Sequence, residues 1–317
     1  MNYDIFNGDA DGIIALLQLR LATAQQNKLI TGVKRNINLV AQVKAESGDK
    51  LTVLDISLEK NIEGVKAALA NGADIFYADH HRSGEIPTHE NLQVNIDLDA
   101  NTCTALIIDK LLDGKFHPWA ITGAYGDNLI TKADQLAAQA GLSSAQAEQL
   151  KELGTLINYN GYGAEVEDLH FHPADLYQAL LQYPSPLDVI ADKASPFRAL
   201  QQAYQADMAK VLAIQPEHQS VLLSVYMLPD APWARRISGV YGNLLANQGP
   251  NSAHAVLTAN ADGSYLVSLR APLNNKQGAG DICSQFVTGG GRAAAAGINK
   301  LPEAQLNTFI ATVEGYY

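Results

Sequence analysis

The sequence predicts an α/β protein with a parallel sheet in its N-terminal part, a helical connector, and a smaller α/β part at its C-terminus. Over the first 135 residues, short apolar runs with strand character alternate with helical patterns. This alternation is typical of a mostly parallel sheet covered on both faces. Helix-forming residues then dominate, and strand patterns return near Ser220. We therefore predict three parts: 1–135, 136–217 and 218–317.

The N-terminal sheet is predicted from five apolar runs. They cover residues 3–6, 37–43, 51–54, 74–77 and 92–95. A helix is expected at 13–24, and another carries Ile62, Val65 and Leu69 on one face, as the helical period requires.

The remaining two parts differ in pattern from the first. Apolar periodicity continues through 136–217 despite several prolines, which indicates a helical connector and not a flexible linker. Strands are predicted at 221–227, 254–259 and 264–270. A glycine-rich stretch and a final helix near 303–313 follow them.

The charge balance bears on the size of any nucleic-acid substrate. Acidic residues outnumber basic ones by 33 to 22, for a formal net charge of -11, and no basic run occurs. Proteins that hold long nucleic acids present basic surfaces, because neutralising phosphates supplies much of their affinity. The composition therefore disfavours a long nucleic-acid partner, although the charge can also reflect solubility alone.

The sequence also bears on the compartment. No run approaches the roughly 20 apolar residues that span a bilayer, and the first residues lack a secretory pattern. Cys103 and Cys283 are far apart and suggest neither a disulfide framework nor a Cys-x-x-Cys metal site. We expect a cytoplasmic protein with no membrane partner.

Four acidic groups fall where strands of the predicted sheet would end, and the last of them follows the apolar segment 119–125. They are Asp9 and Asp11, Asp55, Asp79 with His80 and His81, and Asp127. Each alone is explained by a turn or a helix cap. Carboxyl ends of parallel strands converge, however, and several carboxylates in one cleft need cations to offset burial and repulsion. Oxygen ligands with one or two imidazoles suit Mn²⁺ or Mg²⁺.

The order and spacing of these residues resemble a known family. Asp9-Ala10-Asp11-Gly12, Asp55, Asp79-His80-His81 and Asp127 are similar to the four motifs of the DHH phosphoesterase superfamily. Asn95 and Cys103-Thr104 resemble the segment that follows its Asp-His-His motif. Near the C-terminus, Ser268-Leu269-Arg270 and Gly289-Gly290-Gly291 resemble the strand and the glycine-rich turn of the DHH-associated substrate-binding domain.

The resemblance implies a role for each of these residues. The metal ligands would be Asp9, Asp11, Asp55, His80 and Asp127. Two Mn²⁺ ions are expected, with Mg²⁺ as the alternative, and Asp55 would bridge them. With Asp55 and His80, His81 would complete the catalytic group by acting beside the scissile phosphate, and Asp79 would orient the imidazoles. The substrate would bind to Arg270, Gly289, Gly290, Gly291 and Arg292.

The sequence departs from the family pattern at two positions. Ile5 stands where members acting on small nucleotides often carry a histidine, so the first metal is expected to bind weakly. Asn7 is either an additional amide ligand or a turn residue. Arg292 follows the three glycines where the family has a histidine. Arginine suits bidentate phosphate binding, and we expect the glycines to expose N–H groups to the same anion at a helix start.

The expected substrates are short 5′-phosphorylated oligoribonucleotides, above all linear dinucleotides of the pGpG or pApA type, as in family members of the nano-RNase or oligoribonuclease kind. Alternatives are a single-strand exonuclease and a phosphatase acting on a phosphorylated mononucleotide. A nucleotide-binding regulatory protein with a degraded site is the alternative from another class, because Ile5 cannot ligate a metal. A homodimer is compatible with the sequence.

Three further groups carry weaker signals. Asp168, His170 and His172 have a spacing found among metal ligands, although a loop explains them equally. Residues 158–163 are predicted to form a turn. The adjacent Arg235 and Arg236 lie beside a tryptophan and suit either a phosphate contact or a solvated surface.

Overall fold

The structure is a computed structural model that describes residues 1–317 and divides into two compact units, Met1–Gln202 and Ala203–Tyr317. The first unit contains a five-stranded sheet in which every pairing is parallel. Its strands are β1 (Asn2–Phe6), β2 (Lys28–Ile30), β3 (Lys50–Leu54), β4 (Asp74–Asp79) and β5 (Leu92–Ile96), arranged in the order β2-β1-β3-β4-β5. The predicted α/β fold is confirmed.

Nine helices begin in the first unit. They are α1 (Ala10–Ala22), α2 (Leu58–Ala70), α3 (Thr104–Leu111), α4 (His117–Gly126), α5 (Ile130–Gln139), α6 (Ser144–Gly161), α7 (Pro173–Leu180), α8 (Pro186–Ala191) and α9 (Pro196–Val211). A capping box between Ser143 and Gln146 starts α6, and prolines in the first turn start α7 and α8. The segment 136–217 is thus helical up to Val211, and the boundary between the units falls within α9.

The strand order places a crevice at the carboxyl end of β1. The connection after β1 runs to β2 on one side, and the connection after β3 runs to β4 on the other side. This reversal defines a topological switch point between β1 and β3, where ligands commonly bind. On one face of the sheet, Ile5, Val53 and Tyr77 lie in a buried apolar cluster. This packing fixes the strands whose ends carry the acidic residues.

The second unit contains a six-stranded sheet in the order β10-β11-β9-β8-β7-β6, in which only β7 and β8 pair in parallel. The strands are β6 (His218–Gln219), β7 (Leu223–Leu228), β8 (Ala253–Ala259), β9 (Tyr265–Arg270), β10 (Gly289–Gly291) and β11 (Ala295–Leu301). Its later helices are α10 (Pro232–Gln248), α11 (Ala279–Cys283) and α12 (Leu306–Tyr316). Across both units, none of the helices is apolar over a length that would cross a bilayer.

The strand predicted at 37–43 is wrong. This segment is a loop with a short 3₁₀ helix at Val40–Gln42, and β2 takes its place in the sheet. The Asn61 side chain accepts a hydrogen bond from the Val40 N–H (3.1 Å) and donates to the Ile37 carbonyl (2.7 Å). Those backbone groups are therefore satisfied without a neighbouring strand.

The helix start expected at the three glycines is also wrong, because Gly289–Gly291 is a strand paired with β11. A β-carbon at Gly289 would lie 1.8 Å from the Cys283 carbonyl oxygen, and one at Gly291 would lie 2.5 Å from Ala296 Cα. The glycines thus permit close backbone packing in a hairpin. Of the alanines after Arg292, Ala295 and Ala296 belong to β11, which pairs with β9 on its other side.

Candidate metal centre

Three strand ends and two helix ends bring the acidic residues of the first unit together. Asp9 is the N-cap of α1, Asp55 follows β3, and Asp79 is the last residue of β4. Asp55 has a φ of 58°, a left-handed conformation that is uncommon for residues other than glycine. Such a conformation persists only where surrounding structure enforces it, and it is frequent at functional sites.

His80 lies at the centre of this group. Its Nε2 is 3.4 Å from Asp55 Oδ1, 3.7 Å from Asp11 Oδ2 and 3.9 Å from Asp127 Oδ2. Its Nδ1 lies 3.0 Å from the Thr102 carbonyl oxygen, which can only accept, so Nδ1 carries a proton. With Nδ1 engaged in this way, Nε2 is the ring nitrogen that faces the three carboxylates, and in the neutral ring it offers a lone pair to a metal ion.

These distances fit a shared divalent ion. Two ligands that each lie about 2.1 Å from one ion are separated by about 3 Å at right angles and about 4.2 Å when opposed. The 3.4–3.9 Å separations around His80 Nε2 fall between these limits and exceed the usual hydrogen-bond length. Three carboxylate oxygens with one imidazole form a donor set suited to Mn²⁺ or Mg²⁺.

The electrostatics of Asp55 favour a cation at the same place. Burial raises the pKa of its carboxyl well above the ordinary value, and the carboxylates of Asp11, Asp9, Asp79 and Asp127 raise it further. The ionised form of Asp55 is therefore costly in the protein alone. A divalent ion among these carboxylates would offset both causes.

Asp11 is held by the start of α3. Its two carboxylate oxygens accept hydrogen bonds of 2.7 Å from the backbone N–H groups of Thr104 and Ala105. The Thr104 hydroxyl donates to Asp55 Oδ1 at 3.2 Å. The N-terminus of α3 thus fixes two of the carboxylates that face His80, and it carries a favourable partial positive charge.

Asp127 also faces His80, but it follows a helix and not the strand that was predicted before it. The apolar segment 119–125 belongs to α4 and is not a strand, and Asp127 caps the C-terminal end of that helix. Glycines allow α4 to approach its neighbours: a β-carbon at Gly126 would lie 2.4 Å from Ala10 Cβ. Close packing of α4 on α1 brings Asp127 to the centre.

The Asp9 carboxylate forms an ion pair with Lys34. Its Oδ1 accepts from the backbone N–H groups of Asp11 and Gly12, and its Oδ2 lies 2.5 Å from Lys34 Nζ. Burial alone would raise the pKa of Asp9, but Lys34 outweighs burial and holds that pKa below its ordinary value. Burial lowers the pKa of Lys34, yet the charges of Asp9, Tyr162 and Asp127 hold it above its ordinary value.

His81 lies beside the centre and is one-third exposed. Its Nδ1 is 2.7 Å from Asp79 Oδ1 and 3.8 Å from Asp55 Oδ1. Ligand atoms of Asp55, His80 and His81 all lie within 4.8 Å of one another. The fully buried Asp79 leaves Oδ2 without a hydrogen-bond partner, so its charge is directed mainly to the His81 ring.

In the second unit, Arg270 is engaged within the fold. Its guanidinium donates to Asn243 Oδ1 (2.6 Å), Ser268 Oγ (2.9 Å) and the Gly239 carbonyl (3.2 Å), and the residue is 9% exposed. Arg292 lies in the exposed turn between β10 and β11. Of the two arginines expected to bind substrate, Arg270 therefore organises the sheet and α10, and Arg292 stands at the surface of this unit.

The weaker candidates have structural partners. Residues 158–161 end α6, so the predicted turn is wrong there; the Asn160 side chain accepts from the His170 and Phe171 N–H groups. Asp168 Oδ2 accepts from the Ala164 N–H at 2.7 Å, and His172 caps α7. Arg235 contacts Asp230, and Arg236 Nη2 lies 2.8 Å from Asp207.

The sequence did not identify Lys34 as part of the centre. It lies after the three-residue strand β2, in a loop with no periodic pattern, and a lysine in such a place is usually solvated. Thr104 was noted only as part of a family-like segment, and its hydrogen bond to Asp55 depends on the packing of α3.

This fold and centre define a class: an α/β protein with a carboxylate and histidine site at the switch point of a parallel sheet. Residues 4–140 match the model of the DHH family, N-terminal domain. The N-terminal part of the chain is therefore similar to the DHH family, as its motifs predict. None of the curated proteins compared with the chain is a match.

Solved structures with the same fold include a DHH-domain protein described as a member of a family of ribosomal proteins. It has a TM-score of 0.62 and 14% identity, with 99% of this chain and 86% of that protein covered. RecJ from Thermus thermophilus in complex with Mn²⁺ has a TM-score of 0.61 and 17% identity, with 99% of this chain and 51% of that protein covered. PggH from Vibrio cholerae, a pGpG-specific phosphodiesterase, has a TM-score of 0.56, 13% identity and coverages of 99% and 98%.

Proposed function

We propose that the chain is a divalent-metal-dependent phosphodiesterase that hydrolyses short 5′-phosphorylated oligoribonucleotides, with linear dinucleotides as preferred substrates. One observation carries the hydrolytic part. His80 Nε2 faces oxygens of Asp11, Asp55 and Asp127 at 3.4–3.9 Å, an arrangement of like charges that a metal ion completes. The DHH-family N-terminal domain supports the same reaction class.

A bound divalent ion would neutralise phosphate charge and lower the pKa of a water molecule for attack at phosphorus. Asp11, Asp55, His80 and Asp127 would hold it, and Mn²⁺ is our first choice because the RecJ with this fold is a Mn²⁺ complex. The backbone N–H groups of α3 keep Asp11 in place, so this ligand is oriented in advance.

His81 is proposed to handle the proton of the leaving group. Its Nδ1 donates to the Asp79 carboxylate, and this contact fixes the ring and leaves Nε2 as the exchanging nitrogen. The buried negative charge of Asp79 would also stabilise the ring when it carries a second proton. The pair would thus deliver a proton to the ester oxygen that leaves.

The preference for short substrates is supported by charge. A net charge of -11 offers little attraction to the additional phosphates of a long strand. The pGpG-specific phosphodiesterase from Vibrio cholerae has the same fold over nearly its whole length. We therefore favour dinucleotides over long single strands, and we propose a cytoplasmic location.

The test is turnover on 5′-phosphorylated oligoribonucleotides of 1, 2, 3, 5 and about 20 nucleotides, with Mn²⁺ and after chelation. We expect metal-dependent cleavage that is fastest on the dinucleotide. His81→Gln should lower the rate strongly, and His89→Gln, at an exposed histidine, is the matched control. Fast cleavage of the longest strand would indicate an exonuclease, phosphate release from the mononucleotide a phosphatase, and binding without turnover a regulatory protein.

A further inference from the structure

A lysine ammonium contacts the carboxylate of Asp9, one of the residues that the family resemblance assigns to metal binding. Both Asp9 oxygens are engaged within the protein: Oδ1 accepts from the Asp11 and Gly12 N–H groups at 3.0 and 3.1 Å. Oδ2 lies 2.5 Å from Lys34 Nζ. Asp9 itself is only 3% exposed, so this ammonium meets it inside the protein.

The Lys34 side chain is held by more than this one ion pair. Its Nζ donates to Asn158 Oδ1 at 3.2 Å and lies 5.4 Å from the centroid of the Tyr162 ring. The side chain is 27% exposed, which is low for lysine. A carboxylate, an amide oxygen and an aromatic face thus surround the ammonium, as expected of a cation with a fixed place.

The Lys34 backbone is anchored to the same loops. Its N–H donates to the Gly161 carbonyl at 2.8 Å, and Asn7 Nδ2 donates to its carbonyl at 3.1 Å. A β-carbon at Gly8 would lie 1.9 Å from the Gly32 carbonyl oxygen. The loop that carries Lys34 therefore packs directly on the loop that carries Asp9.

Ile5 completes the difference from a two-metal centre. It is fully buried in the apolar cluster with Val53 and Tyr77, and it offers no ligand atom where the resemblance would place a histidine. The side of the centre near Asp9 therefore has an isoleucine where a histidine ligand is expected, and it also has the ammonium of Lys34. The other side keeps its imidazole and its three carboxylates around His80 Nε2.

We propose that Lys34 replaces the first metal ion and that the chain binds one divalent ion, held by Asp11, Asp55, His80 and Asp127. The ammonium neutralises Asp9 with a single fixed positive charge, whereas a metal ion would bring two charges and exchangeable water. A second ion beside Asp9 would have to displace an ammonium from a contact of 2.5 Å. The inference concerns only the number of bound metal ions. A protein that binds two ions and hydrolyses the substrate would contradict the inference alone, and a protein that binds one ion without hydrolysis would contradict the proposed function alone.

The experiment measures bound Mn²⁺ per chain by equilibrium dialysis and elemental analysis, together with the electron paramagnetic resonance spectrum. The wild-type protein should bind one Mn²⁺ with the spectrum of an isolated ion. Lys34→Ala leaves Asp9 without its cation and opens space, so this variant should bind two ions and show spin coupling. Lys44→Ala, at an exposed lysine of the same unit, should still bind one.

Asp9→Asn provides a second measurement in case Lys34→Ala fails to fold. Asparagine preserves the helix cap, and the single ion should stay bound with an affinity changed by less than about tenfold. Two ions in the wild-type protein, one ion in a folded Lys34→Ala variant, or loss of an ion from Asp9→Asn would each overturn the proposal.

Discussion

Asp79 Oδ1 lies 2.7 Å from His81 Nδ1, and this contact joins a fully buried carboxylate to the most exposed imidazole of the centre. The carboxylate fixes the ring and its tautomer. We therefore expect Asp79 to act through His81 and not on a substrate directly, as outer partners of functional histidines do.

We predict that Asp79→Asn lowers kcat about 10–100-fold, the range for loss of an outer-shell partner, with a smaller effect on KM. The amide can still contact His81, but it no longer provides the negative charge. Steady-state kinetics on a dinucleotide measures the change. Asp74→Asn, at the exposed start of the same strand, is the control and should leave kcat unaltered. An unchanged kcat in Asp79→Asn would remove Asp79 from the mechanism.

Asp55 gives a prediction about stability and pH. Because its pKa in the folded protein is raised above the unfolded value of about 3.9, the metal-free folded state keeps a proton that the unfolded chain releases. Its contribution to stability is therefore present at low pH and is lost as pH rises from about 4 toward the raised pKa. The Asp55→Asn variant has no carboxyl group at this position, so it does not lose stability in this way as pH rises. Asparagine also tolerates the positive φ.

We expect the Tm of metal-free Asp55→Asn to rise relative to that of the wild type as pH increases through this window. Mn²⁺ should reverse the order, because binding to the native state stabilises only the protein with an intact site. Thermal unfolding from pH 4 to 8, with chelator and with Mn²⁺, measures both effects. Activity of Asp55→Asn should fall to near background. A difference in Tm that does not change with pH would contradict the role assigned to burial.

The buried ion pair between Asp4 and Arg20 predicts a stability effect away from the centre. Arg20 Nε donates to Asp4 Oδ2 at 2.9 Å, and both side chains are almost fully buried. Arg20→Met leaves a buried carboxylate without its cation and should cost about 3–5 kcal/mol of unfolding free energy. Lys66→Met breaks an exposed pair with Glu63 and should change stability by less than about 1 kcal/mol. Urea unfolding compares them, and equal losses would refute this assignment.

Gly154 predicts a link between helix packing and the centre. A β-carbon there would lie 2.2 Å from the Thr122 carbonyl oxygen, so α6 and α4 would have to separate. Gly154→Ala should cost about 1–3 kcal/mol and weaken Mn²⁺ binding, because α4 carries Asp127 at its end. Gly315→Ala, in an open position of α12, should be neutral or stabilising by up to about 1 kcal/mol. Unaltered metal affinity in a destabilised Gly154→Ala would break the proposed link.

The parallel strands and the residues at their ends could be predicted from sequence because both are local signals. Asp9, Asp55 and Asp79 each follow a short apolar run, and parallel strands bring such ends together. The strand β2 could not be predicted in the same way. It has three residues, too few to show a period, and the apolar run at 37–43 packs as a loop because Asn61 supplies its hydrogen bonds.

Contacts between distant segments explain what sequence reasoning missed at the centre. Lys34 contacts Asn158 and Tyr162, which lie 124 and 128 positions further along the chain. No local sequence pattern predicts these contacts. Asp127 was predicted to lie near the other carboxylates because a strand was expected before it. In the structure a helix positions Asp127, and this helix packs closely on its neighbours at glycines, which depends on the shape of those neighbours.

The last prediction concerns the substrate's 5′-phosphate and rests on the proposed function. Arg292 lies in the exposed turn between β10 and β11, and it is one of the residues that the family resemblance assigns to the substrate. If Arg292 binds the terminal phosphate, Arg292→Ala should reduce kcat/KM on a 5′-phosphorylated dinucleotide roughly 10–100-fold, the scale of one charge-assisted contact.

Removing the 5′-phosphate from the substrate should cause a similar loss in the wild-type protein, and the two changes together should cost little more than either alone, because both remove one interaction. Lys66→Ala removes one positive charge from an exposed helix of the other unit and should leave kcat/KM within about twofold. The decisive measurement is the set of four kcat/KM values from two proteins and two substrates. Fully additive losses would mean that Arg292 and the phosphate act separately, and the terminal phosphate would then have to be bound by other residues.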